Sequence, residues 1–205
     1  MLRIYNIYGF WGGLNLLFCK LRTFFLYKNA KIIRFPFRVR GKKFISIKEG
    51  FITGYNCRID AFPKKRETKD KLIKIGSNVQ INDYVHIAAV EKVVIGDNVL
   101  IASKVFITDH NHGVYSGENS DSPLSVPEKR LLVSSPVIIE ENVWIGEFVS
   151  ILPGVKIGKG SIIGTMSVVN KDIPAYSIAV GSPARVVKLF NFDTNSWDKV
   201  KHLNK

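Results

Sequence analysis

From residue 139 onward the apolar positions recur at every sixth residue: Ile139, Ile145, Ile151, Ile157, Ile163 and Val169. Gly146, Gly158 and Gly164 each follow one of these, and small residues (Val143, Val149, Val155, Ser161, Ser167) come four positions after. The same frame runs earlier through Ile75, Ile81 and Ile87, then slips by two to Ile95, Ile101 and Ile107. Gly76 and Gly96 again stand second, with Val79, Val85, Val99 and Val105 fifth, and a weaker patch places Ile45, Phe51 and Cys57 in the rhythm. A helix would need apolar residues three and four apart, and a half-buried strand would need strict alternation, so neither period accounts for the spacing. Short strands joined by tight turns do, because Gly, Asn and Asp tolerate the positive φ that β-branched residues resist. Three such strands close a triangular coil, and stacked coils bury a continuous aliphatic core. Sandwich strands that merely share a spacing would not keep one frame through two long blocks. The predicted class is all-β, a parallel β-helix. Spacing does not set its hand, and right-handed crossovers are the general rule.

Two segments break the frame. Residues 61–71 (AFPKKRETKDK) are charged and read as a protruding loop. Residues 109–136 open on DHNHG and hold Pro123, Pro127 and Pro136; so long a loop inside a compact repeat points to function. The chain therefore divides into a capping segment at 1–44, a β-helix over 45–189 and a tail over 190–205. The first segment mixes Phe10, Trp11, Phe18, Phe24, Phe25, Tyr27, Phe35 and Phe37 with Arg22, Lys28, Lys31, Arg34, Arg38, Arg40, Lys42 and Lys43. Aromatics with cations suit peripheral membrane contact. Covering the end of a repeat core is the plainer role, and the two are compatible. The apolar stretch from Ile7 to Phe18 falls short of the roughly 20 residues that span a bilayer, and no small-residue cleavage site follows it. The expected location is cytoplasmic, with residues 1–44 able to reach the inner face of the cytoplasmic membrane.

Composition changes the picture in two places. At 205 residues, 46% hydrophobic and 23% charged, the chain fits one soluble globular domain. Its 30 Lys and Arg against 17 Asp and Glu give +13, which calls for an anionic partner: nucleic acid, a membrane surface or a phosphorylated cofactor. The cations are scattered and no aromatic-and-basic recognition motif is present, which argues against nucleic acid. Cys19 and Cys57 make no disulfide framework. There is no G-x-S-x-G elbow, and Cys57 falls within the repeat frame, so no nucleophile presents itself.

The frame, together with VWIGEFVSILPGVKIGKGSIIG from Val143, resembles the hexapeptide-repeat acyltransferase superfamily. Within it the nearest likeness is to the galactoside/maltose acetyltransferase branch and its polysaccharide O-acetyltransferase relatives. The likeness is most specific at IGDNVLIA (Ile95 to Ala102), VWIG (Val143 to Gly146) and NKDIPAYSIAVGSPARVVK (Asn170 to Lys188), while the first 40 residues lie outside it. It implies a left-handed β-helix, a homotrimer with active sites between subunits, acetyl-CoA as donor and no metal. The implied acceptor is a saccharide hydroxyl of a bacterial surface polysaccharide (O-antigen, capsule or exopolysaccharide) or its precursor, acetylated by direct transfer.

Moving an acetyl group to a hydroxyl needs a base for the proton and donors for the tetrahedral oxyanion, and histidine suits the first task. The histidines are His86, His110, His112 and His202. Counted without gaps from IGDNVLIA, His112 falls on the family's catalytic histidine and is the expected base, with His110 a neighbour that orients it or touches substrate. Asn82, by the same count, matches an asparagine that contacts the acceptor, although a turn residue would look the same. Asp109 is placed beside it as a substrate contact. Trp144 matches an active-site tryptophan of the polysaccharide branch, and the backbone N–H groups near Gly146 and Glu147 are the implied oxyanion donors. Thr165 and Gly181 should line the pantetheine arm, and Lys171, Arg185 and Lys188 should reach the CoA phosphates. Thr165 and Met166 stand where that branch has smaller residues, and the loop from His112 to Trp144 is longer, which leaves the acceptor open. Two alternatives stand beside this one. The first is N-acetylation of an amino sugar or antibiotic. The second is a carbonic-anhydrase-like metalloenzyme using His86, His110 and His112 as ligands.

Overall fold

The computed structural model describes residues 2–64 and 68–200, so His202, the middle of the 61–71 loop and the end of the tail lie outside the described residues. Three stacks of short parallel strands form a left-handed β-helix. The first face stacks Ala30–Ile32, Phe51–Thr53, Gln80–Ile81, Leu100–Ile101, Trp144–Ile145, Ile162–Ile163 and Ser177–Gly181. The second stacks Phe37–Arg40, Cys57–Ala61, His86–Ala89, Phe106–Thr108, Ser150–Ile151 and Val168–Val169. The third stacks Ile45–Ile47, Ile73–Ile75, Val93–Ile95, Val137–Ile139 and Lys156–Ile157.

Register explains the six-residue frame. Ile81, Ile101, Ile145 and Ile163 pair in line down the first face, and Ile59, Ile87, Ile107, Ile151 and Val169 down the second. All are fully buried, as are the fifth-position residues from Val79 to Ser167. At about 25 cal/mol per Å² of apolar surface, such ladders carry most of the stability. The buried hydroxyls are satisfied locally: Ser161 Oγ donates to Pro174 O at 2.7 Å and Ser167 Oγ to Gly164 O at 2.7 Å.

The first coil corrects the sequence reading. Ile47 stands opposite Ile75, Thr53 opposite Ile81 and Ile59 opposite Ile87. Phe51 and Cys57 therefore hold the fifth position, where later coils carry Val79 and Val85. The spacing across the 62–72 insertion is not a multiple of six, which moves one frame into the phase of the other. Stacking also begins earlier than residue 45, since Ala30–Ile32 and Phe37–Arg40 already pair in parallel.

Turn chemistry divides between two positions. Positive φ falls at the fourth position, at Asn56, Asn78, Asn98 and Asn142, and also at Tyr84, Lys104, Phe148 and Met166. The second-position glycines serve close approach between coils instead. A Cβ on Gly96 would lie 2.7 Å from Glu140 C and Glu141 N, and one on Gly146 would lie 2.7 Å from Thr165 N. Only Gly brings the backbones that near.

Every insertion enters at the corner between the second and third faces: residues 41–44, 62–72, 90–92 and 109–136. At the C-terminus the chain reverses. Ala184–Asn191 pairs antiparallel with Ser177–Gly181, and Ser196–Lys199 adds beside it, so the described part of the 190–205 tail folds back as a hairpin on the first face.

One helix, α1 (Leu2–Leu26), precedes the coils and kinks at Gly9, whose φ is 65°. It packs against Ala30–Ile32 and buries Cys19 and Thr23. Thr23 Oγ donates to Cys19 O at 2.6 Å and accepts the Ile33 N–H at 2.8 Å. The cover is partial: a cavity of 390 Å³ opens between residues 26–30 and the side chains of Val39, Ile45, Ile47 and Ile59. Among the described residues no helix is long and apolar enough to cross a membrane.

Candidate active site

The 109–136 insertion is an arm with a defined root. His110–His112 pairs antiparallel with Leu132–Ser134 and, among the described residues, with no other strand. Ser135 N–H donates to Asp109 O at 2.8 Å, closing the base of the arm. Farther out, Arg130 ties the tip together through Ser125 Oγ at 2.9 Å, Ser125 O at 2.8 Å and Tyr115 OH at 3.0 Å.

Asp109 is fully buried, and its carboxylate accepts the N–H groups of Val90, Glu91 and Lys92 at 2.6–3.2 Å. Its Oδ1 also lies 2.8 Å from His110 Nδ1. Burial alone would raise the Asp109 pKa, but His110 and the three backbone donors outweigh it and hold the group below the usual carboxylate value. Asp109 therefore has no face open to an acceptor, which corrects its placement as a substrate contact. It pins the arm to the neighbouring corner and orients His110. His112 lies two residues on, so it shares a face of the strand with His110. It is exposed and its ring has no hydrogen-bond partner among the described residues.

The other expected site residues lie elsewhere. Asn82, Gly146, Glu147, Thr165 and Gly181 line the corner between the first and second faces, one coil above another. Asn82 lacks the positive φ of the turn asparagines and sits at the second position, so turn geometry does not account for it. Its Oδ1 accepts from Gln80 Nε2 at 3.1 Å. Trp144 points outward from the first face between Leu100 and Ile162, half exposed. Gly146 is corrected as an oxyanion donor, because its N–H is committed to Ile163 O at 2.8 Å. The Glu147 N–H, one residue on, has no partner among the described residues. Thr165, Gly181, Lys171 and Arg185 are exposed and Lys188 is half-buried, all on the last coils and the reversed strand. Arg185 and Lys188, on the reversed strand beside that corner, suit a long phosphorylated thioester, whereas Lys171 lies in the turn from Val168–Val169 to Ile173, on the corner between the second and third faces.

The arm root and the Glu147 corner bound opposite edges of the second face. Six residues at 3.2–3.4 Å each put them on the order of 15–20 Å apart. One chain does not bring them together.

The sequence reading missed a charged group on the second face below the arm. Asp60, fully buried, takes both Arg40 Nε and Nη2 at 2.8 Å and lies 3.2 Å from His86 Nε2. Arg58 Nε stands 3.0 Å from the same carboxylate, an ion pair without hydrogen-bond alignment. Burial and then Arg58 push the His86 pKa below its ordinary value, against the pull of Asp60. Pairing Arg58 with His86 in the coil register would have revealed the group. His86 is thus held by Arg58 and Asp60 and His110 by Asp109. Among the described residues no three His, Cys, Asp or Glu are grouped to hold a metal. Burial pushes the Cys57 thiol up to about 11, and it packs as a core residue.

Residues 136–171 match the family of bacterial transferase hexapeptide (six repeats) proteins. WbbJ of Escherichia coli K12, assigned by inference to lipopolysaccharide biosynthesis O-acetyl transfer, is 43% identical over 200 residues, covering 97% of this chain and 99% of its own. The chain belongs to the hexapeptide-repeat acetyltransferases. Galactoside O-acetyltransferase of the same organism is 38% identical over 157 residues, 76% of this chain and 70% of its own. A hexapeptide-repeat acetyltransferase of Vibrio cholerae, solved with acetyl-coenzyme A, is 25% identical with a TM-score of 0.51, covering 76% of this chain and 71% of that one. Membership of the hexapeptide-repeat acetyltransferases accounts for the six-residue frame.

Proposed function

We propose that the protein is an acetyl-CoA-dependent O-acetyltransferase whose acceptor is a sugar hydroxyl of a bacterial surface polysaccharide or its precursor. The observation that carries the reading is the separation of the two corners: histidines on one, a free N–H with Arg185 and Lys188 beside it on the other. A homotrimer resolves it, because a neighbouring copy can set its arm against the Glu147 corner of the next. In that site His112 takes the proton from the acceptor hydroxyl as its oxygen attacks the thioester carbonyl. The Glu147 N–H faces the negative oxygen that forms, and the thiolate of CoA leaves and takes up a proton. Thr165 and Gly181 border the pantetheine arm, and Lys171, Arg185 and Lys188 meet the phosphates. Trp144 supplies a flat apolar wall and Asn82 a polar contact to the acceptor.

Calorimetry with acetyl-CoA, followed by acetyl transfer to surface-polysaccharide sugars, tests the reading. Saturable binding near one site per chain is expected, and none at all would remove the donor assignment. His112→Ala should cost roughly 10²–10⁴ in kcat, the scale of general-base catalysis, with acetyl-CoA affinity retained. A specific observation favours a second assignment of the base: His110 is the ring oriented by a buried carboxylate. A large rate loss in His110→Ala, beside near-normal turnover in His112→Ala, would transfer the role.

A further inference from the structure

The two sides of α1 differ in kind. Past the Gly9 kink, Phe10, Trp11, Leu14, Phe18, Leu21 and Phe25 are all exposed, from 44% for Leu14 to 79% for Trp11. At 3.6 residues per turn these six project within an arc of about 100°. The opposite side carries Cys19 and Thr23, the residues that face the body. So wide an exposed aromatic surface is not needed for packing within the chain and marks an interaction site.

Charge identifies the occupant. No Asp or Glu precedes Glu49, while eleven Lys and Arg do, so the first 48 residues hold 11 of the net +13. Lys20 and Arg22 are exposed on α1, and Lys28 and Lys31 follow its end, also exposed. A second copy of the chain would bring the same uncompensated cations together. An anionic bilayer meets both demands, with Phe and Trp rings in the headgroup region and cations at the lipid phosphates.

We propose that α1 binds the surface of an anionic phospholipid membrane, its Phe10–Trp11–Phe18–Phe25 face immersed at the acyl boundary and Lys20 and Lys28 at the phosphates. The helix lies in the interface and does not cross it. This holds whatever the acceptor, so either reading can fail without the other.

Flotation of the full chain with vesicles tests it. The protein should float with phosphatidylcholine–phosphatidylglycerol vesicles and remain dense with phosphatidylcholine alone. Lys20→Glu with Lys28→Glu should lower the partition coefficient onto the anionic vesicles by at least about fivefold per residue. Trp11→Ser with Phe18→Ser and Phe25→Ser should abolish flotation while acetyl-CoA affinity is retained. Sedimentation with both vesicles, or flotation indifferent to phosphatidylglycerol, would overturn the proposal. So would dissociation of the lipid-free oligomer by the triple substitution, which would make the face a contact between copies. Should the triple variant misfold, the charge variant still decides.

Discussion

Two kinds of corner meet in this β-helix, and they obey different rules. Between the first and second faces, and between the third and first, each turn repeats the last, with φ turning positive at the fourth residue. That residue is mostly Asn or Gly on the third-to-first corner and mostly Tyr, Lys, Phe or Met on the first-to-second. Gly stands at several second positions where backbones crowd. Between the second and third faces nearly every turn is different, running from three residues at 90–92 to an arm at 109–136. The regular corners transmit register from coil to coil, so any change there is felt by both neighbours. The variable corner is tied from coil to coil only at its roots, as by Asp109 to residues 90–92, and beyond them it can carry side chains chosen for chemistry. Both expected catalytic histidines are on it, and the expected donor site is on a regular corner, where the repeat leaves a backbone N–H free.

Substitutions that break each corner should separate the two rules. At a regular corner, Gly96→Val forces a branched side chain into the backbone of residues 140–141 and should cost about 3 kcal/mol or more, read as a lower midpoint in urea. At the variable corner, Asp109→Asn removes a charge that four groups share. It should cost about 1–3 kcal/mol, with amide exchange rising across 110–134 and not in the coils; protection unchanged in the arm would deny Asp109 its pinning role. A smaller effect should appear with pH. His86 is held below its ordinary 6.5, so the unfolded chain takes up a proton first and stability should fall as pH drops below about 6.5. Asp60 and Asp109, held below 3.8, should add a steeper loss as pH falls further. Urea midpoints that stay flat from pH 7 to about pH 5 would show that His86 titrates normally.

How much of this was legible depends on whether a feature is periodic. Ile81, Ile101 and Ile145 announce their own stacking because each coil repeats the demand for an inward aliphatic. The frame failed at Phe51 and Cys57, where an insertion of the wrong length moved one phase onto another. It also misassigned the glycines, since a sequence does not distinguish Gly required by φ from Gly required by a neighbouring backbone. DHNHG makes Asp109 look like a substrate contact because burial is invisible in it. Asp60 was missed because its partners Arg40, Arg58 and His86 come together only through pairing across coils. The aromatic and basic character of residues 1–44 was plain. That the rings of α1 face outward was not, because body-facing Cys19 and Thr23 look no more apolar than a solvated turn.

The reversal at Ser177–Gly181 has a consequence for assembly. A parallel coil ends in open backbone that could template another coil, and an unguarded stack of this kind would grow into filaments by end-to-end accretion. Turning one face antiparallel while the other two stop breaks the threefold match that an incoming coil would require. The last strands thus act as a chain terminator, keeping a polymer-like architecture at the size of a discrete enzyme.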